Sequence, residues 1–465
     1  MKTENIEDIY ELSAIQQGIL FHCIYAPDSG FYFVQKRFTL RGNLNFVAFE
    51  RAWQQVAARH TSLRTGFYWE DINKPLQVVY KQVKVPLEQH DWRGIEPGVQ
   101  QKRLESFLES DRKQGFDLSQ DCLMRLTLIH LTDHSYELVW SANFIIMDGW
   151  SVMLVLNDVF QLYEAFCQGE DVSSTLGSSF GDYIAWLQQQ DLSKAEMFWR
   201  QALQGLKAPT PLTNLYVDNL SGQQERYDYQ RNSLSQATTA ALQSFARQHQ
   251  LTLNTIIQGA WAFLLSHYSG EKKVVYGCTV AGRPVDLVGA DSMVGTLINT
   301  LPVWIDVDDE QSLLVWLRQL QKQLVEMRQY EYSPLVEIQG WSEMPRGVPL
   351  FDSIVVFEKV PLLSVLKSRQ GELEIEMTHI WYKTNYPLNV VVYPLSELTI
   401  EIAYDCCRFE ESAIATILKH FEILIQGMLN NPDVQLKNLQ LLTESEQRIT
   451  SMLEKEVTFD FAACH

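Results

Sequence analysis

The sequence predicts a mixed α/β protein built from two lobes in which strands and helices alternate. Residues 136–142 are aromatic and apolar, as expected for a buried strand, and they lead through a short turn into an amphipathic helix beginning near Ser151. The same alternation returns later in the chain, where a helical pattern over residues 236–249 comes before a strand over residues 274–280. Two regions of this kind suggest two related folds side by side.

The boundary between the lobes is predicted from a polar stretch rich in glycine and serine, residues 168–179. We therefore expect a first lobe over residues 1–170 and a second over residues 171–440, with a connector or tail over residues 441–465. The length of 465 residues is sufficient for this number of units, each with its own core.

Composition and charge exclude several classes of protein. An apolar content of 46% and a charged content of 20% are typical of soluble globular proteins, and no apolar run of about 18 residues or secretory signal is present. The formal net charge of −19 argues against nucleic acid as a partner. Seven scattered cysteines form no zinc-type pair, so we expect reduced thiols and no metal site. We expect a cytoplasmic monomer that binds no membrane.

Local signals place the elements of the first lobe. Ser13 is a candidate N-cap for a first helix, and Asn45 for a second. A strand is expected around residues 31–40, and a charged, solvated helix over residues 97–115. A hairpin turning at residues 132–135 then delivers the chain to the strand-to-helix junction.

In the second lobe, periodicity predicts an amphipathic helix over residues 180–186 and another over residues 253–268, closed by Gly270 as the C′ residue. The last clear helix covers residues 411–429. These patterns are sufficient to assign the sequence motifs described below to helices, strands or loops.

The junction itself, residues 143–151, reads NFIIMDGWS. Asp148, Gly149 and Ser151 supply the tight turn and the N-cap chemistry that such a junction needs. Taken alone, the stretch is an ordinary junction between a strand and a helix.

The junction closely resembles the signature of condensation domains of nonribosomal peptide synthetases, His-His-x-x-x-Asp-Gly, which is often followed by Trp-Ser. Asp148, Gly149 and Trp150 match the second half of the signature, whereas Asn143 and Phe144 stand in place of the two histidines. In the family the second histidine is the residue assigned to catalysis. Because a phenyl ring neither accepts nor donates a proton, the resemblance implies a degenerate catalytic centre at Asn143, Phe144, Asp148 and Gly149.

Other family motifs occur in order along the chain. The sequence resembles these motifs over residues 11–20, 59–67, 180–186, 294–303, 330–339, 351–358 and 384–388. Residues 441–446 resemble the connector that leads to an adenylation domain. The resemblance implies two lobes like chloramphenicol acetyltransferase, arranged as a V around a central tunnel. It also implies a subtype that joins L-configured donors to L-configured acceptors.

The resemblance further assigns supporting roles to Arg283, Arg64, Trp150 and Ser151. It implies that Asp148 is structural and pairs with Arg283 from the opposite lobe. From the local sequence alone, Arg64 is expected to pair with a carboxylate in the core rather than to hold a substrate. His60 is expected to interact with the end of a helix.

The family reaction is attack of a carrier-bound amine on a carrier-bound thioester, with two phosphopantetheine arms reaching in from donor and acceptor carrier domains. We expect no cofactor bound by this chain itself. Three hypotheses remain for it. The domain has lost amide synthesis and docks carrier domains, an adenylation domain or a tailoring enzyme; it still forms amides by proximity; or it is a fragment without a role. Nothing in the spacing of His22, His130 or His379 indicates a replacement base.

Overall fold

The computed structural model describes residues 3–172, 177–212, 215, 227–358 and 373–441. The helices are α1 (Ala14–Tyr25), α2 (Phe46–Arg59), α3 (Pro97–Gln114), α4 (Gly149–Cys167), α5 (Phe180–Gln188), α6 (Leu192–Ala202), α7 (Gln236–His249), α8 (Leu253–Ser269), α9 (Leu313–Arg328), α10 (Leu335–Trp341) and α11 (Glu411–Asn430). The strands are β1 (Ile6–Glu11), β2 (Phe33–Arg41), β3 (Thr65–Tyr68), β4 (Leu76–Tyr80), β5 (Leu87–Asp91), β6 (Met124–Thr132), β7 (Ser135–Asn143), β8 (Tyr227–Ser233), β9 (Lys273–Val280), β10 (Asn299–Asp306), β11 (Ser353–Phe357), β12 (Glu374–Tyr382), β13 (Leu388–Tyr393) and β14 (Thr399–Asp405).

The strands form three sheets, and the two larger ones each support a hydrophobic core. The first sheet has the order β12-β2-β7-β6-β5, the second β10-β9-β11-β13-β14-β8, and a small third sheet β1-β4-β3. Trp53 and Trp140 are fully buried in the core between the first sheet and helices α2 and α4. Trp261 and Phe421 occupy the corresponding core of the second sheet. The mixed α/β class predicted from the sequence is confirmed.

Capping residues place the helices where the sequence predicts them. The Ser13 hydroxyl accepts a bond from the Gln16 amide at 3.3 Å, and the Gln16 side chain accepts one from the Ser13 amide at 3.0 Å, which completes a capping box for α1. Asn45 caps α2, and Gly270 ends α8 in the left-handed conformation, with φ 74°. The hairpin is also confirmed, because β6 and β7 pair antiparallel around a turn at residues 133–134.

Strand β12 was not predicted, and it joins the two parts of the chain. Although it lies between β11 and β13 in sequence, it pairs antiparallel with β2 at the edge of the first sheet, with His379 opposite Arg37. The lobe boundaries at residues 170 and 440 stay a prediction, and any such division has to allow for the pairing of β12 with β2. The tail from residue 442 onward and residues 173–176 of the boundary stretch lie outside the described residues.

Helix α11 is, among the described residues, the one with the length and hydropathy of a membrane span. Its apolar side nevertheless packs against α7, α8 and β14, with Ile417, Phe421 and Ile425 fully buried there. These contacts are those of a core helix.

Candidate functional site

Buried apolar side chains fix the loop between β7 and α4 to the hydrophobic core. Ile145, Ile146 and Met147 are buried in the core of the first sheet. Asn143 ends β7, and its side-chain oxygen accepts a bond from the Ile145 amide at 2.9 Å, which makes the tight turn. Gln16 from α1 donates to the carbonyl of Ile145 at 3.1 Å. The asparagine therefore has a local structural function in the turn.

Asp148 is the N-cap of α4 and is completely buried. Its Oδ1 accepts from the amide of Ser151 at 2.8 Å and from the Ser151 hydroxyl at 2.7 Å. Its Oδ2 accepts from the amides of Leu297 and Ile298, at 3.0 and 3.3 Å. A buried carboxylate is tolerated when its lone pairs are satisfied in this way.

Arg283 supplies the opposite charge, so the structure brings this predicted pair together. Its Nη2 lies 3.1 Å from Oδ1 of Asp148, and its Nη1 donates to the carbonyls of Ala290 and Met293 at 2.7 and 2.8 Å. The guanidinium also lies over the ring of Trp150, 5.3 Å from its centroid. The arginine thus ties α4 to the segment that leads into β10.

Three further contacts strengthen this junction, and they connect two motifs that are far apart in sequence. The Ser151 hydroxyl oxygen lies 2.8 Å from the carbonyl oxygen of Gly295 and accepts a bond from the Gly295 amide at 3.0 Å. Trp150 donates from Nε1 to the carbonyl of Asp291 at 3.0 Å. We call Asp148, Ser151, Arg283 and Gly295 the junction frame.

Phe144 is held firmly by its backbone, while its ring takes no part in hydrogen bonding. Its amide donates to the carbonyl of Tyr32 at 2.8 Å, and its carbonyl accepts from the hydroxyl of Thr296 at 2.6 Å. The half-buried ring lies 6.5 Å from the ring of Tyr32. Tyr32 itself has a φ of 61°, an uncommon conformation for a residue other than glycine, and its hydroxyl is bonded to Asn385.

The three histidines considered as substitutes lie in different surroundings. The ring of His22 is 6.2 Å from that of Tyr32, and burial lowers the pKa of this imidazole. His130 stacks on Tyr136 at 4.3 Å. His379 lies 3.2 Å from the hydroxyl of Tyr229. His22 and Phe144 therefore both contact Tyr32.

Arg64 and His60 lie apart from the junction frame. Arg64 is buried and binds both carboxylate oxygens of Glu7, at 2.6 and 3.1 Å, beside the small third sheet. His60 follows α2, and its Nε2 is 2.9 Å from the carboxylate of Asp158. Both side chains therefore make structural contacts within their own part of the fold.

Glu358 is a functional candidate that the sequence reading missed. It follows β11, and its Oε1 lies 3.6 Å from the position that a Cβ on Gly149 would occupy. Burial, followed by the charges of Asp148 and Glu401, raises the pKa of this carboxyl to about 7. Glu358 lies in a stretch that the sequence reading used only as a family match. A lone glutamate at the end of a strand gives no local signal of its own.

Cys23 lies beside Asn143, and burial raises the pKa of its thiol to about 11, so the thiol stays protonated near neutral pH. Within the described ranges, no group of three or more histidine, cysteine, aspartate or glutamate side chains is placed to hold a metal ion.

Comparison with known proteins is consistent with this geometry. The family model for the condensation domain matches residues 6–449. Two of the proteins that make up linear gramicidin synthase from Brevibacillus parabrevis are each 43% identical to this chain. The matches extend over 95% and 96% of this chain, and they occupy 9% and 6% of those two proteins. The chain therefore spans a small part of these relatives.

Solved structures agree on the fold. The first condensation domain of the calcium-dependent antibiotic synthetase, solved with a substrate analogue, superposes with a TM-score of 0.78 at 16% identity, over 94% of this chain and all of that one. A four-domain nonribosomal peptide synthetase bound to AMP and glycine gives the same TM-score at 19% identity, over 95% of this chain and 34% of that one. With the family match covering nearly its whole length, this chain belongs to the condensation domains of nonribosomal peptide synthetases.

Proposed function

We propose that this domain positions a carrier-bound thioester and a carrier-bound amine but forms the amide slowly, so that its main role is to dock or recruit carrier domains. The proposal is supported above all by Phe144. Its ring has no proton chemistry, and it stands at the position of the family histidine, next to a junction frame that is intact.

The expected loss of rate follows from what the reaction needs. A thioester is already activated, and holding the amine and the carbonyl in near-attack geometry accounts for much of the catalysis. A general base contributes a further factor of about 10² to 10⁴. Phe144 offers no lone pair for that step, whereas the frame that orients the loop keeps its buried ion pair.

The proposed partners are donor and acceptor peptidyl carrier domains with their phosphopantetheine arms. Adenylation domains or tailoring enzymes of a longer synthetase are further candidates. An exposed apolar surface on α1 supports docking, because Phe21 and Tyr25 stack at 5.7 Å while remaining 59% and 79% exposed. Ile24 on the same helix is 45% exposed.

The experiment is single-turnover amide formation with donor and acceptor loaded on carrier proteins. It compares the native domain with Phe144→His and with Asn143→His/Phe144→His, and Phe144→Leu is a matched control that leaves the position apolar. We expect the histidine variants to exceed the native rate by about 10²- to 10⁴-fold and Phe144→Leu to resemble the native domain.

Carrier binding is measured separately and is expected to be equal in all four proteins, because the substituted positions lie at the end of β7 and in the loop after it rather than on α1. Phe21→Ser with Tyr25→Ser is expected to weaken carrier binding. A native rate close to that of Phe144→His would refute the impaired centre and favour the second candidate function, condensation by proximity without a histidine.

A further inference from the structure

We propose that the carboxylate of Glu358 accepts the amine proton in whatever amide formation this centre still performs. The inference depends on the proposed function, because it names the group behind the residual rate. It assigns a catalytic role to the second sheet rather than to the loop that carries Phe144.

The geometry places Glu358 at the same loop from the opposite side. The residue extends from the end of β11, a central strand of the second sheet, toward Gly149, the first residue of α4 on the first sheet. Its two carboxylate oxygens lie 3.6 and 4.0 Å from where a Cβ on Gly149 would stand. Gly149 has no side chain, and a Cβ there would be in ordinary van der Waals contact with the carboxylate.

Glu358 also differs from the buried carboxylates that hold the fold together. Asp148 accepts bonds from several donors, Glu137 pairs with Arg37 at 2.7 Å, and Glu401 pairs with Arg231 at 2.5 Å. Within the described part of the chain, the half-buried carboxylate of Glu358 makes no hydrogen bond or ion pair. A desolvated carboxylate without a partner costs stability, which is typical of groups kept for chemistry.

The electrostatic environment suits a proton acceptor. Burial, with the charges of Asp148 and Glu401, raises the pKa of Glu358 to about 7. A general base works best when its pKa lies near the operating pH, because it is then both ionised in part and basic enough to take a proton. A carboxyl group at its ordinary pKa would be a much weaker base.

The proposed step balances without any additional reagent. The amine nitrogen attacks the thioester carbonyl carbon, so that an N–C bond forms and the C–S bond breaks. The proton lost by the amine passes to the carboxylate of Glu358, which then returns it to the departing sulfur. The products are an amide and the free thiol of the donor arm, and Glu358 is again ionised.

The test measures single turnover with saturating loaded carriers from about pH 5.5 to about pH 8.5, and compares native domain, Glu358→Gln and Glu358→Asp. His130→Gln is the control, because His130 stacks on Tyr136 at the end of β6 and β7 that lies away from the junction. Glutamine keeps a hydrogen-bond acceptor but cannot take a proton, so it separates proton transfer from positioning.

We expect Glu358→Gln to lower the residual rate by about 10- to 100-fold, Glu358→Asp to retain an intermediate rate, and His130→Gln to leave the rate unchanged. The native profile divided by that of Glu358→Gln should rise with pH and level off above about 7. Dividing the profiles removes the titration of the acceptor amine, which both proteins share.

Unfolding provides a second measurement. Because the folded-state pKa of Glu358 is raised from 4.5 to about 7, the stability of the native domain relative to Glu358→Gln should fall as pH rises across that interval. A residual rate that is unchanged by Glu358→Gln, or a native rate no higher than that of loaded carriers alone, would overturn the proposal.

The failure of this inference is distinguishable from failure of the proposed function. A native rate equal to that of Phe144→His refutes the impaired centre, yet a large loss in Glu358→Gln would still support the glutamate as proton acceptor. If the domain binds carriers but Glu358→Gln does not change the rate, the docking role is retained and Glu358 has no part in the reaction.

Discussion

Asp148 and Phe144 lie in one loop and differ in almost every physical respect. The carboxylate of Asp148 is completely buried, binds four backbone or hydroxyl donors and pairs with Arg283 at 3.1 Å. The ring of Phe144 is half-buried and contacts the ring of Tyr32, while its backbone alone makes hydrogen bonds. The comparison shows that the residues holding this loop and the residue at the position of the family histidine are separate, so one can change while the other is kept.

The largest effect should come from breaking the frame. Asp148→Ala leaves Arg283 buried without its counter-charge, and we expect the free energy of unfolding to fall by about 3–5 kcal/mol. Phe144→Leu, in the same loop, should cost less than about 1.5 kcal/mol, because it exchanges one apolar side chain for another. Urea unfolding of the two variants measures the contrast, and equal losses would contradict it.

A smaller loss is expected from Gly282→Ala, next to Arg283. Gly282 has a φ of +60°, and a Cβ there would lie 1.6 Å from the carbonyl oxygen of Leu297, so the backbone has to move. The strained φ by itself costs about 1–3 kcal/mol of stability. The loss is measured as a shift in the temperature of thermal unfolding. Gly149→Ala is the control, because its nearest contact would be an ordinary 3.6 Å, and a similar loss in both variants would argue against the steric explanation.

The smallest change concerns Trp150, which lies next to the junction frame. Trp150→Phe removes the bond from Nε1 to the carbonyl of Asp291 but keeps a ring under Arg283. We expect a loss of about 0.5–1.5 kcal/mol in urea unfolding, the usual net value of one hydrogen bond. A loss as large as that of Asp148→Ala would mean that Trp150 is as important to the frame as the ion pair.

Much of the secondary structure could be predicted because its causes are local. Ser13, Asn45 and Gly270 mark helix ends through short-range hydrogen bonds and backbone conformation, and the hairpin of β6 and β7 follows from adjacent apolar strands. Strand β12 was missed because its partner β2 is distant in sequence, and no local pattern specifies such a pairing.

The sequence by itself determined the family, the positions of the signature residues and the loss of its histidines, since each of these is a matter of residue identity and order. Only the tertiary structure decided that Gly295 bonds to Ser151 and to the amide of Asp148, that Asn143 makes the turn, and that Glu358 faces Gly149. The physical reason is that burial, charge and hydrogen-bond satisfaction depend on neighbours that folding brings together from distant parts of the chain.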